Sequence, residues 1–242
     1  MIPLLLVATI LAATVTIVGS MLGFQRSMGY WPGHIWAVIF CALSMVKVRV
    51  KGRENIDRRT SYVFVANHQG AYDIFAIYGY LGHNFRWMMK KGLEKIPFVG
   101  YSCRVSGHIF VDNSTPSATA RTMATAEKQL SGGMSVVVFP EGSRSRDGRM
   151  HAFRRGAFKL ATEFSLPVVP ITIDGAYRVM RRGSVLPHWG TINITIHRPI
   201  AVSAETGRHE LSELMDADLI LAEHIPEPAQ AHAAGGEGMH HV

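Results

Sequence analysis

The chain has 242 residues, of which 48% are hydrophobic, and it carries a formal net charge of +7. This length fits one catalytic domain with a short N-terminal appendage, and two cysteines, Cys41 and Cys103, exclude a disulfide framework. The positive charge suits an anionic partner, either nucleic acid, an anionic membrane surface or a phosphorylated substrate. Charge alone does not distinguish among these three.

The N-terminal segment is nearly free of charge, since residues 1–46 contain Arg26 as their one strongly charged side chain. The stretch from Met1 to Gln25 has none at all and is dominated by Leu, Val, Ile, Ala and Thr. Because about 20 apolar residues cross a bilayer, this stretch predicts a helix long enough to span a membrane. It lacks the basic start and the small-residue cleavage site of a signal peptide.

A second uncharged stretch follows and begins with the breaker-rich GYWPGH, which leaves residues 35–46 as an apolar helix too short to cross. Residues 1–46 therefore predict a hydrophobic helical hairpin that anchors the chain in one leaflet. Tyr30, Trp31 and Trp36 are expected at the head-group level, and the basic run that follows is expected to face the cytoplasmic lipid surface.

From residue 61 onward, short β-rich runs alternate with longer amphipathic stretches, which is typical of an α/β domain. The predicted strands are residues 62–66, 85–89, 108–111, 135–140, 168–173 and 192–197, and the predicted helices are residues 71–81, 116–130 and 154–164. Near-continuous apolar strands indicate a mixed, largely parallel sheet covered by helices. The catalytic domain is predicted over residues 47–225, and the Ala-, Gly- and His-rich tail 226–242 is predicted to be disordered.

The first candidate site is the stretch NHQGAYD at residues 67–73, which lies between a predicted strand and a predicted helix. Reactive groups of α/β folds are displayed at the carboxyl ends of strands. If His68 folds back over the helix start, Asp73 can accept a hydrogen bond from one imidazole nitrogen and make the other a base for a hydroxyl proton. The alternative is a loop histidine and an aspartate that caps the helix.

A second candidate is FPEGSRSR at residues 139–146, which follows the predicted buried strand SVVV. Pro140 and Gly142 constrain the backbone, so Arg144 and Arg146 can converge on one point. A guanidinium fork matches the oxygens of a phosphate, which favours an anion site. The alternative is an exposed basic turn.

Two further segments follow strands or form them. Lys90 and Lys91, with the stretch 107–113, can border the same cleft, or can be a surface basic pair followed by a core strand. Pro170 interrupts an otherwise apolar strand, which by itself suggests a sheet edge or a strand start.

In order, these four blocks resemble the motifs NHxSxxD, GxIFIDR, FPEGTRS and VPI of the 1-acylglycerol-3-phosphate acyltransferase family, over roughly residues 47–200. The resemblance implies transfer of an acyl chain from acyl-CoA or an acyl carrier protein to the free hydroxyl of lysophosphatidic acid, forming phosphatidic acid. It implies no acyl-enzyme intermediate, no cofactor, no metal and no nucleic-acid partner. It places the enzyme at the cell membrane, with its catalytic domain on the cytoplasmic side.

The same resemblance assigns roles to individual residues. His68 is the general base and Asp73 orients it. The acceptor site is expected to comprise Lys90, Lys91, Gly107, Phe110, Glu141, Gly142, Ser143, Arg144 and Pro170.

The chain departs from the family pattern at three positions, with Gly70 for serine, Ser143 for threonine and Asn113 for arginine. The last change replaces a phosphate-binding guanidinium by a neutral amide, so either another arginine compensates or the acceptor is a different lysophospholipid or an aminolipid. The candidate arginines are Arg104, Arg146 and Arg149.

Two other classes of protein fit parts of the sequence. A membrane-associated hydrolase is disfavoured because the chain has no G-x-S-x-G, no H-E-x-x-H and no G-x-x-x-x-G-K-[ST]. A basic membrane tether without catalysis needs only the N-terminus and the arginines.

Overall fold

A seven-stranded sheet lies at the centre of the computed structural model, which describes residues 2–112, 114–154 and 156–202. Its order is β1-β7-β6-β2-β5-β3-β4, and every neighbouring pair is parallel except β6 and β7. The mixed, largely parallel sheet is therefore confirmed. The strands are β1 Val46–Lys51, β2 Val63–Ala66, β3 Phe85–Lys90, β4 Ile109–Val111, β5 Ser135–Val138, β6 Val168–Asp174 and β7 Gly190–Ile196.

Helices connect the strands and cover both faces of the sheet. They are α1 Ile2–Gly19, α2 Gln25–Met28, α3 Trp31–Leu43, α4 Tyr72–Tyr80, α5 Val99–Val105, α6 Pro116–Ser131, α7 Gly156–Glu163 and α8 Ala176–Val179. A kinked segment, Ser20–Phe24, in which Gly23 has a φ of +91°, joins α1 to α2, and 3₁₀ turns span Arg53–Asn55 and Lys91–Lys95. The three helices predicted within the α/β part, α4, α6 and α7, are confirmed to within two residues at the ends that the structure describes.

The second apolar helix lies earlier in the chain than the predicted residues 35–46, because α3 begins at Trp31 and ends at Leu43. Pro32 lies in its first turn, where a missing backbone N–H removes no intrahelical hydrogen bond. The GYWPGH stretch therefore starts the helix and does not delay it.

Alternate side chains of β2 enter two different hydrophobic cores, as the two-residue period of a strand requires. Phe64 packs in the core beneath α3 and α4, whereas Val63 and Val65 pack in the core beneath α6 and α7. All three side chains are fully buried. The sheet is thus covered on both faces around β2, the strand that leads into the first candidate site.

The strand β1 is an element that the sequence analysis did not predict. Its sequence VKVRVK alternates, with valines towards the core and exposed cations at Lys47, Arg49 and Lys51. Such alternation is the signal of a half-buried strand, and lysines on an edge strand discourage pairing with another chain. We had interpreted the same residues by their charge alone.

The prediction of an edge position for Pro170 is wrong, because β6 lies between β2 and β7. The pairing of β6 with the returning chain shifts by one residue between the bridge Val168–Ile200 and the pair Ile171–Ile196. The missing N–H of Pro170 falls at this irregularity, where its carbonyl accepts from the N–H of His197 at 3.0 Å. A bulge of this kind tolerates proline inside a sheet.

The N-terminal helices pack along the α/β part of the molecule. Trp36 Nε1 donates to Thr9 Oγ1 at 2.9 Å and joins α3 to α1. At the far end, Gln25 Nε2 donates to the Val105 carbonyl at 2.7 Å, and Arg26 donates to the Gly132 carbonyl at 3.1 Å. Polar contacts therefore hold this segment near its start and at its end.

The expected head-group position of Tyr30 is wrong, since its side chain is only 6% exposed. Its ring lies against Tyr78 and Phe85, with both centroid distances 6.1 Å. Trp31 is 54% exposed and remains free to meet lipid. Aromatic residues next to an apolar helix are thus divided between the core and the surface, which composition alone does not reveal.

Candidate active site

The two main candidate motifs leave neighbouring strands at the same edge of the sheet. Strands β2 and β5 are parallel, and Val65 is level with Val138. His68 follows the first strand by two residues, and Glu141 follows the second by three. Parallel pairing therefore brings the two motifs together, as expected for an α/β site.

His68 and Asp73 are hydrogen-bonded, with 2.8 Å between His68 Nδ1 and Asp73 Oδ2. The same oxygen accepts from the backbone N–H of Gln69 at 2.7 Å and of Gly70 at 2.9 Å. Asp73 lies in the first turn of α4 and is fully buried. The histidine precedes the helix and folds back over its start, which is the geometry that a spacing of five requires.

This arrangement determines which imidazole nitrogen is available. A carboxylate only accepts hydrogen bonds, so the proton lies on Nδ1 of His68 and the lone pair lies on Nε2. The His68 side chain is 13% exposed, and its Nε2 has no hydrogen-bond partner among the described residues. The Phe139 ring stacks on the imidazole at 4.0 Å with an interplanar angle of 10°, which fixes its plane.

The second carboxylate oxygen of Asp73, Oδ1, is buried and has no hydrogen-bond partner within the described residues. Burial of an incompletely satisfied carboxylate is costly. A positive charge on the neighbouring imidazole relieves that cost by electrostatic attraction. Asp73 therefore lies where its carboxylate can stabilise an imidazolium formed at His68 during a reaction.

The backbone around Gly70 explains the departure from the family pattern at this position. A Cβ atom on Gly70 would lie 2.8 Å from the Met180 carbonyl oxygen, and still closer to that of Ala176. The N–H of Ala71 also donates to the Met180 carbonyl, at 3.2 Å. Close packing of the turn against the end of α8 thus leaves no room for a serine side chain.

Glu141 joins the two motifs through its carboxylate. Oε1 accepts from the N–H of His68 at 2.6 Å, and Oε2 accepts from the N–H of His151 at 3.0 Å. The N–H of Ser145 donates back to the His68 carbonyl at 2.8 Å. Burial raises the pKa of Glu141, and the two backbone N–H groups oppose that rise.

The remainder of the second motif carries cations that are not neutralised. Gly142, at a φ of +72°, turns the chain after Glu141. The side chains of Arg144, Arg146 and Arg149 form no hydrogen bond or ion pair with any residue in the described part of the chain. This loop, whose Ser145 N–H contacts the His68 carbonyl, therefore offers positive charge that no described carboxylate neutralises, as an anion site requires.

Comparison with known proteins assigns this geometry to a family. The family described as "Acyltransferase" matches residues 47–174, more than half of the chain and the part that carries both motifs. The chain belongs to the acyltransferase family.

Relatives of this acyltransferase carry a more specific name. A chloroplastic 1-acyl-sn-glycerol-3-phosphate acyltransferase of Arabidopsis thaliana, LPAT1, is 32% identical over 201 residues, which are 80% of this chain and 56% of the relative. A protein of the same name from Borreliella burgdorferi is 28% identical over 160 residues, covering 66% of this chain and 64% of the relative. The chain thus spans little more than half the length of the plant relative.

A solved structure shares the fold over nearly the whole chain. The 1-acyl-sn-glycerophosphate acyltransferase PlsC of Thermotoga maritima superposes with a TM-score of 0.73 and 25% sequence identity, covering 91% of this chain and 92% of that one. The matched share exceeds residues 47–242, so the likeness extends into the N-terminal segment.

The lysines predicted for the acceptor site differ in their surroundings. Lys90 ends β3 and is exposed, with no described partner. Lys91 Nζ lies 2.7 Å from Glu94, which Arg104 also contacts at 2.6 Å. Arg104 is therefore engaged by Glu94, and Asn113, whose missing charge it was expected to replace, lies outside the described residues.

Three other predicted acceptor residues lie away from the strand end that carries His68. Gly107 precedes β4 and so lies towards the opposite edge of the sheet, with a φ of +86° that suits glycine. Phe110 is half-buried on β4, two strands away from β5. Pro170 is level with Val65, before β2 ends. These residues can shape the sheet around the site.

Sequence reasoning missed the residues that fix the first motif from the sides. The Asn67 side chain donates to the Ile173 carbonyl at 2.8 Å and accepts from its N–H at 2.7 Å, which extends the pairing of β2 with β6. Gln69 Nε2 donates to the Gly148 carbonyl at 3.0 Å. The available signal in the sequence was the pair of amide side chains, Asn67 and Gln69, on either side of the candidate histidine.

Proposed function

We propose that this protein transfers an acyl chain from an acyl thioester to the free hydroxyl of 1-acylglycerol-3-phosphate and so forms phosphatidic acid. The observation that carries the proposal is the 2.8 Å contact between His68 and Asp73, which leaves Nε2 unoccupied beside a loop of unpaired arginines. The names of the relatives support the same activity.

The proposed reaction is a direct transfer. His68 Nε2 takes the proton of the acceptor hydroxyl as its oxygen attacks the thioester carbonyl, and Asp73 stabilises the imidazolium that forms. The new C–O bond replaces the C–S bond, and the thiolate leaves with the proton that His68 returns. General base catalysis of this kind contributes a factor of roughly 10²–10⁴. Neither a metal nor a cofactor takes part in this proposal.

We assign the phosphate of the acceptor to the unpaired cations of the second motif. Arg144 is half-buried and has no competing carboxylate in the described part of the chain, and Lys90 ends the next strand along the sheet. Gly142 and Ser143 shape the loop, and Glu141 holds it against His68 through backbone N–H groups. Lys91 contributes less, because Glu94 already neutralises it.

The second candidate function is acyl transfer to an acceptor other than lysophosphatidic acid. Asn113 stands where the family pattern has arginine, and Arg104 is engaged by Glu94, so one expected phosphate contact is absent from the chain. A lysophospholipid with a different head group, or an aminolipid, requires fewer cations at that point.

We further propose that residues 1–46 anchor the enzyme in the cytoplasmic leaflet, with the catalytic domain, residues 47–225, in the cytoplasm. By length and composition the helical stretch Pro3–Met28 is apolar enough to cross a membrane. The hydrogen bond from Gln25 to Val105 favours a helix whose end lies along the domain, and the hydrogen bond from Trp36 to Thr9 joins its start to α3. The acceptor then arrives through the leaflet and the thioester from water.

A substrate panel tests the proposal. Purified protein in mixed micelles is offered labelled acyl-CoA or acyl carrier protein with lysophosphatidic acid, other lysophospholipids and a lysoaminolipid. We expect labelled phosphatidic acid as the main product, with His68→Ala as the inactive control. Acylation of another acceptor without use of lysophosphatidic acid would support the second candidate, and no acylation at all would contradict both.

A further inference from the structure

The connection between α8 and β7, residues 181–189, presents large apolar side chains to solvent. Val185 is 80% exposed, Leu186 53% and Trp189 78%. The connection is ordered by its own hydrogen bonds, from the Ser184 hydroxyl to the Leu186 carbonyl at 2.9 Å and from the His188 N–H to the Val179 carbonyl at 2.8 Å. Its apolar tip is therefore presented by a defined turn.

This tip continues the apolar surface of α3. Pairing of Val46 with Gly190 brings Trp189 next to Met45, which is 72% exposed. Three residues at a spacing of four form an exposed stripe along α3 that leads to the same place; they are Ile35, Ile39 and Leu43. Exposed apolar residues thus follow one another from α3 through Met45 to the loop.

The loop also meets α1. An apolar groove of about 210 Å³ separates them, and its lining includes Leu5 of α1, Phe40 of α3, and Val185 and Leu186 of the loop. Both N-terminal helices that we propose to lie in the membrane therefore border the loop directly. A bilayer that covers the outer faces of α1 and α3 extends over the tip of the loop as well.

Cations flank the apolar tip on the side of the α/β domain. Arg181 and Arg182 begin the loop and are exposed, and Lys47 and Arg49 follow Met45 on β1. Apolar residues bordered by arginines and lysines, with tryptophan at the border, are the pattern of a segment that enters the interface of an anionic bilayer.

We infer that residues 181–189 form a second membrane-inserting element, in which Val185, Leu186 and Trp189 enter the lipid and Arg181 and Arg182 contact anionic head groups. The inference rests on the proposed membrane position of α1 and α3. Met180, which precedes the loop, accepts from the Ala71 N–H at 3.2 Å, between His68 and Asp73. Insertion therefore holds the lipid surface next to the catalytic turn.

A fluorescent label at the tip tests this inference. In a Cys103→Ser background of the full-length protein, Val185→Cys is labelled with an environment-sensitive fluorophore and mixed with phosphatidylcholine vesicles with or without phosphatidylglycerol. We expect a blue shift and loss of emission to spin-labelled lipid, as for a reference label at Leu11→Cys on α1. The control is Ala124→Cys, exposed on α6, which packs on the opposite face of the sheet.

The arginines provide an independent measurement. Arg181→Gln with Arg182→Gln is expected to weaken partition into anionic vesicles about tenfold at low salt and to leave neutral vesicles unaffected. The matched control, Arg121→Gln with Lys128→Gln, removes the same charge from exposed positions on α6.

The inference is overturned if the label at position 185 behaves like the label at position 124. It is also overturned if position 185 is shielded without vesicles, either with rising protein concentration or on addition of acyl carrier protein, since the loop then binds protein. All these readouts report lipid contact and not acyl transfer. An inactive protein with an inserted loop contradicts the proposed function alone.

Discussion

The loops that leave β2 and β5 lie side by side, and they differ in how firmly the protein holds the side chains that would meet substrate. In the first, His68 and Asp73 are fixed by each other, by two backbone N–H groups and by the Phe139 ring. In the second, the side chains of Arg144 and Arg146 have no partner in the described part of the chain. The base is thus in place before substrate arrives, whereas the charge of the substrate completes the cation site.

The largest effect is expected when the preorganised loop loses its base. His68→Ala removes the only group in this loop that can take a hydroxyl proton at neutral pH, and the rate of acyl transfer should fall by roughly 10³–10⁴. Turnover with labelled thioester measures it, and circular dichroism verifies the fold. A variant that keeps a tenth of the rate while folded would mean that another group is the base.

A smaller loss is expected when the base remains but its orientation is lost. Asp73→Asn replaces a carboxylate by an amide that cannot hold the Nδ1 proton in the same way, and kcat should fall by about 10². The KM for the acceptor should change little, because Asp73 is fully buried and cannot touch it. An effect on KM alone would place Asp73 in binding.

Loss of a cation from the second loop should instead change KM and leave kcat nearly unchanged. Arg144→Ala removes one charge-assisted contact, which corresponds to about a tenfold higher KM for a phosphorylated acceptor with kcat nearly unchanged. Arg144→Lys should restore part of the affinity, since it returns the charge without the bidentate geometry. The control Arg121→Ala lies on α6 and is exposed. Equal effects of both alanine variants would remove Arg144 from the acceptor site.

Packing of the first loop against α8 gives a prediction about stability. Gly70→Ser restores the family residue, yet its Cβ would lie 2.8 Å from the Met180 carbonyl oxygen, so unfolding should become easier by about 1–3 kcal/mol. Thermal unfolding in detergent measures the change. Gly92→Ser is the matched control, because nothing lies within 4 Å of that position. Equal stability of the two variants would show that α8 can move away from the serine side chain without loss of stability.

The same difference between the loops explains what the sequence could predict. The strands and the pairing of His68 with Asp73 followed from apolar runs and from motif spacing, because strand ends and helix starts are local features. The roles of Asn67 and Glu141 depend on β6 and on His151, which only the folded chain brings near. Strand β1 was missed for another reason. Its cations were interpreted as contacts to lipid head groups, and the alternation of valine with charge was not.

Glu141 connects the two loops, and its titration gives the most subtle prediction. Burial raises its pKa above the ordinary carboxyl value, so the folded protein binds this proton more tightly than the unfolded chain. The stabilising contribution of the proton is therefore complete below the ordinary pKa and is lost as the pH rises through the raised pKa of the folded state. The free energy of unfolding, relative to Glu141→Gln, should decrease with rising pH over that window.

Denaturant unfolding of wild type and Glu141→Gln at a series of pH values measures this slope, because the glutamine does not titrate. An increase of the difference with rising pH would mean that the N–H groups of His68 and His151 outweigh burial and hold the carboxylate charged. In the expected case, burial of the Glu141 side chain costs the protein stability as the pH rises, while its two oxygens serve the two loops. Glu141 then holds the loop of the base against the loop of the cations, and its burial lowers the stability of the folded protein.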